Sequence, residues 1–293
     1  MVPETGQAWG LLDSSQRRIA AEPRSLAPRL ERLGALVKLG LRTLVRLEAK
    51  QLIDAGAPAA TVEQLTATAE ALPNDRIELE ERETTLRVNL AHLRGVVEPS
   101  EEQLEAWRRE YGRIAWLRAL DGNIVRVDEQ AGRVGHLNNI RGMAEPMLRP
   151  LLDTMAARTS RPIIYEGMDP PWFFSHVLSA PGPSIPPGFS ARLLVVQRDR
   201  GELLNGFACT DLGSGLGDGR IEWFIGEDAA SRARAWLTER VDVSPPEAAI
   251  RSPFLRLPAE PGVSDIKKEL DSLWHERLAA VSAAVLEPRT PRD

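Results

Sequence analysis

Cys209 is the one thiol of the 293-residue chain. As a nucleophile it would need a base within reach, and the histidines expected in its own domain are His136 and His176. A free cysteine on a strand is more often a small buried apolar residue. The four histidines, His92, His136, His176 and His275, share no metal-ligand spacing, and there is no Cys-x-x-Cys pair. No metal site is expected. The run GHLNNIRG (135–142) gathers His136, Asn138, Asn139 and Arg141. It has the donors and acceptors to hold a polar or anionic ligand, although such a run after a hairpin commonly caps the next helix. In MDPPWFFSHVLS, Trp172, Phe173 and Phe174 stand beside His176 and could wall a small-molecule pocket; the alternative is the packed face of a sheet. With Trp223 of RIEWFIG, the candidate ligand-binding residues are His136, Asn139, Arg141, Trp172, His176 and Trp223. No catalytic residue and no cofactor are expected.

The stretch DLGSGLGDG (211–219) is similar to the acidic, glycine-spaced loop with which methyltransferases of the nucleotide-binding fold hold S-adenosylmethionine. Asp211, Gly213, Gly215 and Gly217 carry the likeness. Such a loop serves the helix behind it, whose amide ends face the ligand. Here RIEWFIG returns at once to strand character, and a parallel crossover needs about a dozen residues. The loop therefore reads as a mobile hairpin tip, with 203–210 and 220–225 expected as adjacent antiparallel strands. An enzyme built on Cys209–Gly219 remains the third functional alternative. The chain has no Gly-x-Ser-x-Gly elbow and no Gly-x-x-x-x-Gly-Lys loop.

These residues need elements to hold them. Residues 1–24 read as a flexible arm. From Ser25, Leu26, Leu30, Leu33, Val37, Leu41 and Leu44 recur at helical steps until DAGAPAA breaks the helix. TVEQ restarts one, with Thr61 able to cap and Gln64 able to reach back. NDRIELEERETTLRVNLAHLRG supports a third helix, ended by Gly95. PSEEQLEAWRREYGRIAWLRALDG supports a fourth, with a Ser100–Gln103 capping box and Leu104, Trp107, Tyr111 and Ile114 as its stripe. Residues 25–121 thus predict an antiparallel bundle or bent coiled coil. Its leucine stripes either form the bundle's own core or offer a face to a protein partner or a second copy.

Beyond Gly122 the alternation of NIVRVDEQAGRVGHL predicts a hairpin. A helix is expected over 144–158. Strands are expected at RPIIYEG, WFFSHVLS, ARLLVVQRD, ELLNGFACT and RIEWFIG, followed by a helix in EDAASRARAWLTERV. PGPSIPPG (181–188) reads as a loop. The domain is placed at 122–258, with a last helix and tail over 259–293. The expected class is α+β: an N-terminal antiparallel helical bundle followed by a mainly antiparallel sheet with flanking helices.

Bulk composition excludes several classes. A hydrophobic fraction of 43% and a charged fraction of 27% suit a globular chain. The formal net charge of −5 gives no global basic field, so no nucleic-acid partner is expected. A single cysteine rules out an internal disulfide. The start, MVPETGQAWGLLDSSQRR, lacks a basic segment followed by an apolar run, so no secretory signal is expected. LGALVKLGLRTLVRL is interrupted by Lys38, Arg42 and Arg46, so no membrane insertion is expected either. The cytoplasm is the expected location.

LRALDGNIVRVDEQAGRV, a helix running into strand, turn and strand, resembles the opening of the PAS- and Cache-type sensor domains of bacterial signalling proteins. ARLLVVQRDRGELLNGFACTD repeats that form farther on. The resemblance spans 120–258. It implies an antiparallel sheet with flanking helices, entered through a helical signalling segment. On this footing the expected function is non-catalytic regulation or ligand sensing through protein contacts, as a dimer formed by the N-terminal helices. The alternative is an adaptor or assembly scaffold with no small-molecule ligand.

Overall fold

The computed structural model describes residues 3–93, 95–130, 133–135, 137, 139, 142, 162–167, 174, 192–217, 219–240, 248–251, 272, 275, 276 and 279. The chain divides into two compact units: Met1–Arg87 with Pro99–Met147, and Val88–Glu98 with Leu148–Asp293. The expected helix at 144–158, the loop at 181–188 and most of the last helix lie outside the described residues. Among the described residues, no helix is long and apolar enough to cross a membrane.

The first unit opens with α1 (Pro3–Ala21). The segment expected as a loose arm is therefore helical, with Ala8, Trp9 and Leu12 in the unit's core and Trp9 Nε1 donating to Asp121 Oδ2 at 2.6 Å. The long leucine-striped helix is in fact two, α2 (Ala27–Lys38) and α3 (Arg42–Asp54). They are separated at Gly40, whose φ of 73° favours glycine. A Cβ there would meet Leu120 Cγ at 2.6 Å. The stripe stays in phase across this break, which is why periodicity does not report it.

Asp75 caps α3 from outside, accepting from Thr43 N at 2.9 Å and Thr43 Oγ1 at 2.8 Å. Half-buried against Arg32 at 2.6 Å, Glu48 has its carboxyl pushed up by desolvation, with Arg32 pulling the other way. Helix α4 (Ala59–Glu70) starts behind Pro58 without a side-chain cap, so Thr61 does not play the expected role.

The expected third helix begins instead with a short strand, β1 (Arg76–Ile77), before α5 (Leu79–Ala91). The capping box forms as expected: Ser100 and Gln103 bond reciprocally at the start of α6 (Glu101–Tyr111). That helix ends ten residues early, and β2 (Ile114–Arg118) follows. Ile114 to Leu117 are all buried, so both faces of β2 are covered. A continuous apolar run of this kind is read as easily for a helix as for a strand. β3 (Ile124–Asp128) and β4 (Arg133–Gly135) make the expected hairpin. The sheet order is β1-β2-β3-β4, antiparallel throughout. The expected α+β class is present.

The second unit has a sheet of another kind. β5 (Ile163–Glu166), β6 (Leu193–Gln197) and β7 (Ile221–Ile225) lie where strands were expected, and β8 (Ala248–Arg251) adds a fourth. Their order is β7-β6-β5-β8, and every pairing is parallel. Residues 200–209, expected as a strand, form α7 (Arg200–Cys209), the crossover between β6 and β7. All seven residues from Leu203 to Cys209 are buried, so α7 shows no polar face for periodicity to find. Residues 203–210 and 220–225 are therefore not antiparallel neighbours. α8 (Ala229–Glu239) follows β7 as expected.

The two helices cover opposite faces. Ile164, Leu194, Val196 and Phe224 pack with Ala229, Ala233 and Leu237 of α8. On the other face Trp223 meets Phe207 of α7 and Phe174, each with ring centroids 6.0 Å apart. Phe174 also lies 4.9 Å from Tyr165. Phe174 itself is helical; the rest of WFFSHVLS lies outside the described residues.

Candidate functional site

The path of the chain through the parallel sheet singles out one edge. From β5 it moves outward to β6 and then β7, and it returns to place β8 on the far side of β5. The connection leaving β5 therefore leads away from β8, and the direction of travel across the sheet reverses between these two strands. In open parallel sheets, ligands bind in the crevice outside the carboxyl ends of the strands at this reversal.

Glu166 ends β5 and is 4% exposed. Its register partner on β8 is Arg251. Gly167 follows with φ 82°, its N–H donating to Val196 O at 3.1 Å. Gln197, 5% exposed, ends β6 and donates from Nε2 to Asp199 O at 3.0 Å. Gly226 ends β7 with φ 113°, its N–H donating to Gln197 O at 2.9 Å. Positive φ at Gly167 and Gly226 lets the chain turn sharply off the sheet without a side chain over the strand ends.

The charge at this edge constrains what binds there. Asp199 Oδ1 accepts from Glu202 N at 3.1 Å, capping α7. Glu227 and Asp228 precede α8, and Asp228 pairs with Arg232 at 3.2 Å. Both helix N-termini thus carry carboxylates where the dipole would otherwise favour a bound anion. A phosphate brought to α8 would meet the negative charge of Glu227 and Asp228, whereas at α7 Asp199 and Glu202 stand beside Arg198 and Arg200. Buried carboxylate and amide groups at strand ends suit hydroxyl and amine donors better.

The glycine-rich stretch sits at the opposite edge. Gly213–Gly217 form a 3-10 turn between α7 and β7, so they feed the amino end of the strand. They are not the tip of a hairpin. Asn89, fully buried, donates from Nδ2 to Phe207 O and Thr210 O, each at 2.7 Å, and accepts from Leu212 N at 3.0 Å. Gly213 N donates to Asp211 Oδ1 at 2.8 Å. Buried in the last turn of α7, Cys209 donates from Sγ to Asn205 O at 3.1 Å.

Of the expected ligand residues, Asn139 and Trp223 are described. Asn139 belongs to the first unit, where Oδ1 accepts from Asn123 Nδ2 at 3.1 Å and Gly142 N at 2.9 Å, the capping alternative for that run. Trp223 belongs to the second unit, half-buried among aromatic rings on β7. His136, Arg141, Trp172 and His176 lie outside the described residues.

No known protein family matches the chain, and no match was found among curated proteins or solved structures. Function is read from the geometry alone. The parallel pairing of β5 to β8 departs from the antiparallel sheet implied by the sensor-domain resemblance. Reasoning from sequence missed Glu166, Gln197 and Gly226 as a group. The signal available was weak: each closes an apolar strand and precedes a turn, but only the pairing order brings their strand ends together at one edge.

Proposed function

We propose that the protein is a non-catalytic regulatory protein whose second unit binds a small polar ligand at the carboxyl ends of β5 and β8. The observation that carries this reading is the strand order β7-β6-β5-β8 with all pairings parallel. The carboxylates at the starts of α7 and α8 favour a hydroxyl- or amine-bearing ligand over a phosphorylated one. Regulation then proceeds through protein contacts, with ligand occupancy biasing them.

A thermal-shift screen of the full chain against metabolites tests the reading. A ligand present at about 100 times its Kd stabilises the folded chain by about 2.7 kcal/mol. The stabilisation is expected to fall in Glu166→Gln and Gln197→Ala and to persist in Asp211→Asn, at the amino edge. Stabilisation lost in Asp211→Asn alone would move the site to the glycine turn. No stabilising ligand at all would favour the scaffold alternative.

An enzyme built on Cys209–Gly219 is less well supported. The thiol is buried and bonded within its own helix, and the glycine turn feeds the amino end of β7.

A further inference from the structure

At the carboxyl edge, β6 closes with Gln197 and leads through Arg198-Asp199-Arg200-Gly201-Glu202 into α7. Two arginines and two carboxylates balance in this entry. An ammonium brought to it meets Arg198 and Arg200, and a phosphate meets Asp199 and Glu202. A neutral group with paired donors suits the entry better than either ion.

Asp199 is exposed, on extended backbone at φ −89° and ψ 114°. Its Oδ1 accepts from Glu202 N at 3.1 Å, and its backbone carbonyl accepts from Gln197 Nε2 at 3.0 Å. Oδ2 has no partner among the described residues. The carboxylate is thus steadied from two sides while Oδ2 and a second lone pair on Oδ1 stay open. Two adjacent hydroxyls can donate to it together, one to each oxygen. On the neighbouring strand, Gly167 lies one residue beyond the register pair Glu166–Val196 and so opposite Gln197. Asp199 stands two residues, about 7 Å, farther along the strand direction. Gly167 brings no side chain to that step.

Strand order supplies the class of ligand. Numbered along the chain, the sheet reads third, second, first, fourth. Sheets of that order take nucleotides outside the ends of the first and fourth strands. Glycine after the first strand lets backbone approach the ligand, and an acidic side chain farther on takes the ribose hydroxyls. Gly167 and Asp199 stand at those two places. EGMDPPW, which follows β5 from its last residue, has no second glycine, so the spaced glycines that admit a pyrophosphate are missing. We propose that the ligand presents the vicinal diol of a ribose to the Asp199 carboxylate. The inference rests on the carboxyl edge being the ligand site and adds what that site receives at β6.

Equilibrium dialysis of the full chain against adenosine, guanosine, cytidine, uridine and free ribose tests it. At least one of these is expected to bind, and a 2′,3′-dideoxy counterpart at least about tenfold more weakly. Asp199→Ser keeps a capping side chain on α7 and removes the carboxylate. It should weaken the parent compound at least about tenfold and the dideoxy form less than about twofold, with far-UV circular dichroism unchanged. Tighter binding of a nucleoside than of ribose places the diol in a nucleoside, and equal binding places it in a free sugar; both support the role of Asp199. Failure of every probe to bind overturns the proposal. So does a dideoxy form that binds like its parent, or wild-type affinity in Asp199→Ser. If a metabolite without a vicinal diol then stabilises the chain through Glu166 and Gln197, the ligand edge stands and the diol alone falls.

Discussion

The two sheets solve the same packing problem with different connections. In the first unit each of the pairs β2–β3 and β3–β4 is joined by a short turn, so each connection stays at one edge and neighbouring strands close on each other. In the second, parallel pairing forces the chain to cross a face between β6 and β7 and again between β7 and β8. With α7 and α8 on opposite faces, the chain travels from β5 out to β7 and then returns past both to place β8 beside β5. The first arrangement spends its polar side chains on holding itself together, as Asp121 does with Trp9 and Asn123. The second produces two unlike edges: an amino edge fastened by Asn89, and a carboxyl edge where strands end in Glu166–Gly167, Gln197 and Gly226. In the proposed reading the direction in which the strands arrive, and not a glycine-rich sequence, marks the ligand edge.

The largest effect expected from breaking this arrangement is at Asn89. Asn89→Ala removes one side chain that holds three backbone groups, at a cost of about 3 kcal/mol. Urea unfolding would measure it, and hydrogen exchange should rise in 203–217 while 114–128 keeps its protection. Gly40→Ala should cost about 2 kcal/mol in the first unit, from positive φ together with the close approach of Leu120. Gly213→Ala has positive φ but open space around it, so about 1 kcal/mol is expected, with ligand binding unchanged. Reduced binding in that variant would reverse the roles assigned to the two edges.

The smallest effect concerns Glu48. Its raised carboxyl holds a proton more tightly in the folded chain than in the unfolded one. Stability therefore declines as pH rises from the usual carboxylate range through the raised value. Glu48→Gln should remove that decline, by less than about 1 kcal/mol, in denaturation midpoints compared across that window.

Local signals were legible where they involve few residues. The Ser100–Gln103 box, the hairpin at 124–135 and the strands β5, β6 and β7 follow from spacing alone. Elements buried on every side were not legible. Leu203–Cys209 and Ile114–Leu117 have no polar face, so a helix was read as a strand and a strand as a helix. Parallel or antiparallel pairing is a property of where the crossovers run, and reading α7 as a strand conceals the crossover between β6 and β7. With it went the carboxyl edge, since Glu166 and Gln197 are far apart in sequence and meet only through strand order. The leucine stripe suggests a partner face, but it supplies the unit's own core.

Hydrogen exchange of the full chain with and without a stabilising metabolite tests the central claim most directly. Protection is expected to increase at 166–167 and 250–251, the carboxyl ends of β5 and β8, and at 197–199 on the neighbouring β6, with 211–219 unchanged. Protection confined to 211–219, or to the helices of 42–70, would contradict a ligand site at the carboxyl edge.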